Sequence, residues 1–295
     1  MSKRLLAHIA LFTANLIYGI NYTVAKDVMP NFIQPLGFIF LRVSGAVLLF
    51  WLCYRLFFYE KVAKGDLLKL MLCGLFGVAI NQMLFFEGLN LTTPINAAVI
   101  MVTNPILVLI MGAVLATEVI TKRKMLGIAL GATGAISLII YGGEVDLNPD
   151  HFWGNIMVLI NAASYGVYLV LVKPLMQKYK PITVISWVFL FGFIFVIPLG
   201  WEEFQAIEWS DMPTNILWKA TFVVICTTFM AYLLNIFGLK SLNPSTVSTY
   251  IYLQPVLASL VAIFAGSDSL SPVKIGAALI IFAGVYLVSV RSKQN

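Results

Sequence analysis

Residues 88–105 read GLNLTTPINAAVIMVTNP, and residues 238–255 read GLKSLNPSTVSTYIYLQP. Gly88, Pro94 and Pro105 return as Gly238, Pro244 and Pro255, each 150 positions on, and Gly134 returns as Gly284. Glu118 meets Asp268 and Thr121 meets Ser271 in the same register. Further upstream, Tyr18-Gly19 and Lys26 of LIYGINYTVAK (16–26) recur 147 positions later as Tyr165-Gly166 and Lys173. One such pair arises by chance; a run of them in gapless register marks an internal duplication, with halves 1–143 and 144–295.

The solvent of both halves follows from composition. The 295 residues are 60% hydrophobic and 11% charged, against about 25% charged residues in an ordinary soluble domain. So little charge cannot cover a water-facing surface of this size, and apolar runs recur from end to end. An all-α polytopic membrane protein is expected. Cys53, Cys73 and Cys226 lie inside apolar runs without a CxxC or Cys/His cluster, so they read as packing residues, neither disulfides nor metal ligands. No metal or other cofactor is implied. The basic, then apolar, N-terminus lacks a small-residue cleavage site and reads as an uncleaved first span.

A span needs about 20 apolar residues. Stretches of that kind fall near 5–27, 35–58, 67–90, 93–116, 123–141, 152–172, 182–201, 216–238, 244–266 and 272–290, giving ten transmembrane helices joined by short loops. Orientation follows from Lys and Arg. The termini and alternate loops hold Lys3, Arg4, Arg55, Lys61, Lys64, Lys69, Lys122, Arg123, Lys124, Lys173, Lys178, Lys180, Lys240, Arg291 and Lys293. The opposite side holds Lys26, Lys219 and Lys274, together with most of the acids, among them Glu144, Asp146 and Asp268. Both termini are expected in the cytoplasm, and the net charge of +6 is an orientation signal, which removes nucleic acid as a partner.

Five helices per half is an odd number, so the second half must cross in the opposite sense. Two inverted five-helix repeats around a central cavity are an arrangement of secondary transporters, with the site near the midplane at the repeat interface. The order YGINYTVAK, QPLGFIFLRVSGAVLL and the segment from Gly88 to Gly134, repeated from Gly238 onward, resembles the EamA family of the drug/metabolite transporter superfamily. The resemblance covers almost the whole chain. It implies a ten-helix basket with helices 1, 3, 4, 6, 8 and 9 around the cavity, and a multi-pass protein of the bacterial cytoplasmic (inner) membrane. It favours export of amino acids or related small metabolites. Asp268 departs from the family's usual Glu, at a helix end where little consequence is expected.

Pro105 and Pro255 fall mid-helix, where proline removes a hydrogen bond and kinks the helix. Such freed backbone is tolerated only against protein or a wet cavity. The amides before them, Asn104 and Gln254, are first candidates for the substrate site. Asn15, Tyr18, Tyr165, Tyr168, Tyr232, Asn235 and Tyr250 complete the cavity set. Asn15, Tyr18 and Tyr22 share one helix face, as do Tyr250 with Gln254. An aromatic and amide lining suits a zwitterionic or aromatic metabolite. The same tyrosines serve equally well at lipid-facing positions.

Arg42 and Glu87 are the charges clearly inside spans. An embedded charge costs roughly 2.5–3.5 kcal/mol on insertion scales. At similar depth in the outer membrane half they are expected to form a structural ion pair; the alternative makes Glu87 a proton-coupling carboxylate, its charged form disfavoured by burial. No GxxxxGK[ST] loop is present, which removes ATP hydrolysis. His8 and His151 sit near helix ends without HExxH or paired acids, so the chain does not read as an enzyme. The other classes are an intramembrane enzyme, a channel, or a nucleotide-sugar-like antiporter; the partners expected are a small-molecule substrate and the lipid bilayer.

Overall fold

The computed structural model describes residues 2–115, 118–141, 148–264 and 271–289, without the side chains at 22, 23, 26, 94, 95, 262 and 264. Asp268, Glu144, Asp146, Arg291, Lys293 and the side chains of Tyr22 and Lys26 therefore lie outside the described residues.

The described chain is helical throughout. In order it runs α1 (Lys3–Val28), α2 (Pro35–Phe57), α3 (Lys64–Leu91), α4 (Pro94–Met101), α5 (Asn104–Val114), α6 (Lys122–Tyr141) and α7 (Phe152–Lys178). It continues with α8 (Pro181–Gln205), α9 (Thr214–Ser241), α10 (Pro244–Thr249), a 3-10 turn at Tyr250–Tyr252, α11 (Leu253–Phe264) and α12 (Pro272–Ser289). Eight stretches among the described residues are long and apolar enough to cross a membrane; α1 and the α10–α11 run are not among them. The helices begin as sequence dictates: Pro35, Pro94, Pro181, Pro244 and Pro272 all open a helix, where the missing N–H has no intrahelical acceptor to lose.

Two irregularities recur in both halves. α3 passes through a π-helical stretch at Leu75–Ile80, and α9 through one at Val223–Met230. The fourth predicted helix is not continuous but breaks between Met101 and Asn104, and the ninth breaks at the 3-10 turn Tyr250–Tyr252. The break places Pro105 in the first turn of α5, so its missing N–H is accommodated there instead of kinking one long helix.

Packing follows the same exchange of halves. α6 lies along α12 and α2 along α8, while the later part of α3 packs on α7 as the later part of α9 packs on α1. α5 lies against α7, and α11 against α1. Small residues permit close approaches: a methyl on Gly284 would stand 2.6 Å from the Gly127 carbonyl oxygen, and one on Gly127 2.8 Å from that of Gly284. A methyl group on Gly19 would stand 3.3 Å from the Ala258 backbone nitrogen, and one on Gly166 would stand 3.4 Å from that of Val108; both partners and both glycines are repeat equivalents.

Polar contacts collect the loops at two ends of the bundle. At one end Lys178 pairs with Asp66 at 2.5 Å, Thr183 donates to Glu60 at 2.7 Å, and Arg4 donates to the Ser289 carbonyl at 2.7 Å. Glu118 joins the same end, pairing with Lys124 and accepting from Ser245. At the other end Lys219 meets Asp27 at 2.6 Å and the Gly37 amide donates to Glu203 at 2.9 Å. Between the ends, Leu48, Leu279 and Phe282 are exposed, which places apolar side chains where lipid would lie. The three cysteines are free thiols, with Cys73 buried.

Candidate functional site

A cavity of about 130 Å³ lies inside the bundle, room for roughly four waters at about 30 Å³ each. α1 contributes Asn15, Tyr18 and Asn21, α2 contributes Arg42, and α3 contributes Asn81, Gln82, Phe85 and Phe86. Asn161 and Tyr165 come from α7, and Thr227, Tyr232 and Asn235 from α9. Met101 at the end of α4, Val247 in α10, Ile251 in the 3-10 turn and Gln254 in α11 close the wall. The helix irregularities therefore sit at the cavity: Asn81 and Gln82 follow the first π stretch, Thr227 lies in the second, and Met101 and Ile251 mark the breaks. π turns and interrupted helices expose backbone and re-aim side chains, which regular spans cannot do.

Side-chain hydrogen bonds fix the wall. Gln254 Nε2 donates to Asn15 Oδ1 at 2.9 Å, and Asn15 Nδ2 donates to the Leu11 carbonyl at 2.8 Å. Asn235 Nδ2 donates to the Tyr18 hydroxyl at 3.2 Å. Across the cavity Asn161 Nδ2 donates to the Asn81 carbonyl at 2.5 Å, and Asn81 Nδ2 returns a bond to the Asn161 carbonyl at 3.4 Å. The Gln254–Asn15, Asn235–Tyr18 and Asn81–Asn161 bonds each join helices from opposite halves of the chain, while the Asn15–Leu11 bond lies within α1.

Several buried polar atoms of the wall have no protein partner: Asn21 Oδ1, Arg42 Nη1, Gln82 Oε1, Asn161 Oδ1 and Thr227 Oγ1. Leaving a buried polar group unpaired costs about 1–3 kcal/mol, so such atoms concentrate where water or a ligand satisfies them. Among the described residues the others are Asn104 Oδ1, the Tyr168 hydroxyl, Trp187 Nε1 and Ser289 Oγ.

Six of the nine expected cavity residues line it: Asn15, Tyr18, Tyr165, Tyr232, Asn235 and Gln254. Three do not. Asn104 is fully buried and donates to the Ala162 carbonyl at 2.9 Å, tying α5 to α7. Tyr168 turns its ring onto Gly77, where an added methyl would stand 2.4 Å from the ring. Tyr250, in the 3-10 turn, places its hydroxyl 2.7 Å from His8 Nδ1. Three residues along a helix leave two side chains roughly 60° apart, so the Tyr168 ring stays 5.9 Å from that of Tyr165 yet turns off the wall toward α3.

Arg42 is 3% exposed, and the expected ion pair with Glu87 is not made. Its Nε donates to Thr228 Oγ1 at 3.1 Å, and its guanidinium lies 4.6 Å from the Phe86 ring centroid and 5.8 Å from that of Phe38. Thr228 in turn donates to the Val223 carbonyl at 2.8 Å, within the π stretch. A hydrogen bond to a charged group contributes roughly 1.5–3 kcal/mol and a desolvated cation–π contact about 2. Together they offset the insertion cost without an acid. Glu87 is half-buried and does not line the cavity.

The wall residues that the sequence alone does not single out are Asn81, Gln82, Phe85, Phe86, Asn161, Thr227 and Val247; Asn21 and the freed backbone near Met101 and Ile251 are legible in it. The repeat register points to several of them. Tyr18 and Tyr165 are equivalent, as are Gln82 and Tyr232, Phe85 and Asn235, and Met101 and Ile251. All four pairs face the one cavity.

A transport-family model, the EamA-like transporter family, matches residues 5–140 and again 152–290. The chain belongs to the EamA-like transporter family. Similar proteins include the uncharacterized transporter YetK of Bacillus subtilis, 24% identical over 303 residues that cover 100% of this chain and 90% of YetK. An uncharacterized transporter of Archaeoglobus fulgidus is 23% identical over 289 residues, covering 97% of this chain and 98% of its own. Protein WALLS ARE THIN 1 of Arabidopsis thaliana is 26% identical over 326 residues, covering 97% and 83%. A solved crystal structure matches with a TM-score of 0.75 at 20% identity over 96% of both chains, a likeness of fold. This EamA-like protein is thus a membrane transport protein in which, among the described residues, no group of three His, Cys, Asp or Glu side chains could hold a metal ion.

Proposed function

We propose that the chain is a secondary transporter that exports small metabolites, amino acids or related compounds, by alternating access of two inverted five-helix repeats, 1–143 and 144–295. The observation that carries this reading is the cavity lined by repeat-equivalent residues of both halves, Tyr18 with Tyr165, Gln82 with Tyr232, Phe85 with Asn235 and Met101 with Ile251. A site built equally by two related halves can close against either one, and the two resulting states open to opposite sides. The recurring π stretches and helix breaks support the same symmetry, as does the matched close approach at Gly19 and Gly166. α4 with α5, and α10 with α11, then each form one interrupted span, which with α1 gives ten. The basic loops gathered with Arg4 at one end of the bundle support cytoplasmic termini in a bacterial inner membrane.

The wall's phenol rings and amides suit a small polar or zwitterionic solute. It carries no arrangement of acid, base and nucleophile for catalysis, which supports transport over an intramembrane enzyme. Counterflow separates a carrier from a channel. Proteoliposomes holding the purified chain and loaded with an unlabelled amino acid should accumulate the labelled form transiently and saturably. Flux without overshoot, linear in concentration, would identify a channel; no flux for any amino acid would remove that substrate class.

A further inference from the structure

The cavity contains a cation without an acid. Arg42 is the charged side chain among the described lining residues, and neither Asp nor Glu is in the wall. Arg42 is 3% exposed; its Nε is engaged by Thr228 and its guanidinium face by Phe86, while the buried Nη1 has no protein partner. Four acids elsewhere are committed: Asp27 to Lys219, Asp66 to Lys178, Glu118 to Lys124, and Glu203 to the Gly37 amide. Glu87 forms no ion pair with Arg42.

A guanidinium stays protonated at every physiological pH, so the charge cannot be removed by deprotonation. In a low-dielectric site it repels a cationic ligand and stays uncompensated beside a neutral one. A dianion such as a phosphate monoester leaves one negative charge over. A single carboxylate balances it and matches the planar donor geometry of guanidinium. We propose that Arg42 is the anion anchor of the substrate site, with Nη1 donating to a carboxylate, so that the cavity selects small monocarboxylates. α-Amino acids qualify through local pairing, not net charge: the zwitterion's carboxylate compensates Arg42, and its ammonium group is held by the unpartnered oxygens of Asn161, Gln82 and Asn21. This inference rests on the transporter reading insofar as that reading makes the cavity a substrate site.

Binding to the purified full-length chain, read as a thermal shift, tests it with matched compounds: the common amino acids, their carboxamides and their desamino acids. Shifts should be confined to compounds with a free carboxylate, and the carboxamide should bind at least about 30-fold more weakly than its acid. Arg42→Gln should abolish that preference, and Arg42→Lys should keep it in weakened form. If Arg42→Gln does not fold, the acid–amide comparison on the unaltered chain still decides. A carboxamide within about threefold of its acid, undiminished acid binding by Arg42→Gln, or no shift from any carboxylate would overturn the proposal. Carboxylate binding without counterflow would refute transport and leave the anchor standing. Saturable counterflow of a compound lacking a carboxylate would do the reverse.

Discussion

Replacing Glu118 by alanine removes a carboxylate that staples the two halves together. Its side chain is 2% exposed, accepts from Lys124 Nζ at 2.5 Å and from the Ser245 amide at 2.8 Å, and also accepts from the Ser245 hydroxyl. Through Ser245 it caps the start of α10, the element that leads into Val247, Ile251 and Gln254 of the cavity wall. Three charge-assisted bonds at roughly 1.5–3 kcal/mol each set an upper bound near 4.5–9 kcal/mol. The cost of desolvating the carboxylate is recovered on removal, and breaking a buried pair typically costs about 3–5 kcal/mol. Lys124 keeps a bond to the Val119 carbonyl at 3.2 Å and is 16% exposed, so its ammonium can reach water. We expect the low end, about 3 kcal/mol. Larger chains lose about 2 °C per kcal/mol, so Glu118→Ala should unfold roughly 6 °C below wild type at a fixed scan rate in detergent. Adding Ser245→Ala should then cost little more, because its partner is already gone. A shift under about 1 °C, or full additivity of the two substitutions, would refute this account of the staple.

The remaining predictions concern individual contacts. Gly77→Ala should destabilise by about 1–3 kcal/mol through overlap with the Tyr168 ring, and the penalty should shrink when Tyr168 is also replaced by alanine. Tyr168→Phe should leave ligand binding unchanged and raise stability by about 1 kcal/mol, since it removes a buried hydroxyl that has no hydrogen-bond partner; a loss of binding in a thermal-shift assay would return that residue to the site. Lys173 donates to the Leu239 and Leu242 carbonyls at 2.5 Å each, at the end of α9. Lys173→Met should therefore cost about 1–2 kcal/mol in thermal unfolding. Glu87→Gln should leave counterflow unchanged, since Glu87 lies off the cavity wall and does not pair with Arg42. Loss of pH-gradient drive in proteoliposomes would assign it a coupling role instead.

The architecture was largely legible because it rests on features with strong local physics. Proline at helix starts, a hydrophobic span length and the repeat of Gly88, Pro94 and Pro105 each carry meaning without tertiary knowledge. The site was legible in part. Asn15, Tyr18 and Gln254 were readable as polar groups in oily helices, but which of them face inward depends on rotation about the helix axis. Tyr168 shows the limit: two extra carbons of ring reach Gly77 on α3, a contact no single-helix pattern contains. The Arg42–Glu87 pair failed for a related reason. Charge and depth made the two partners, yet the π stretch of α9 offered Thr228, and Phe86 offered its ring face. The repeat register held more than was taken from it, since Tyr232 and Asn235 mapped back by 150 positions name Gln82 and Phe85.

Alternating access through this cavity is the central claim, and a cysteine at Thr227 tests it most directly. Thr227 lines the wall and is 1% exposed. With Cys53, Cys73 and Cys226 replaced by serine, Thr227→Cys should react with a membrane-impermeant thiol reagent in both right-side-out and inside-out vesicles, and a bound carboxylate substrate should slow both reactions. Reaction from neither side, or from one side only whatever the conditions, would contradict the account.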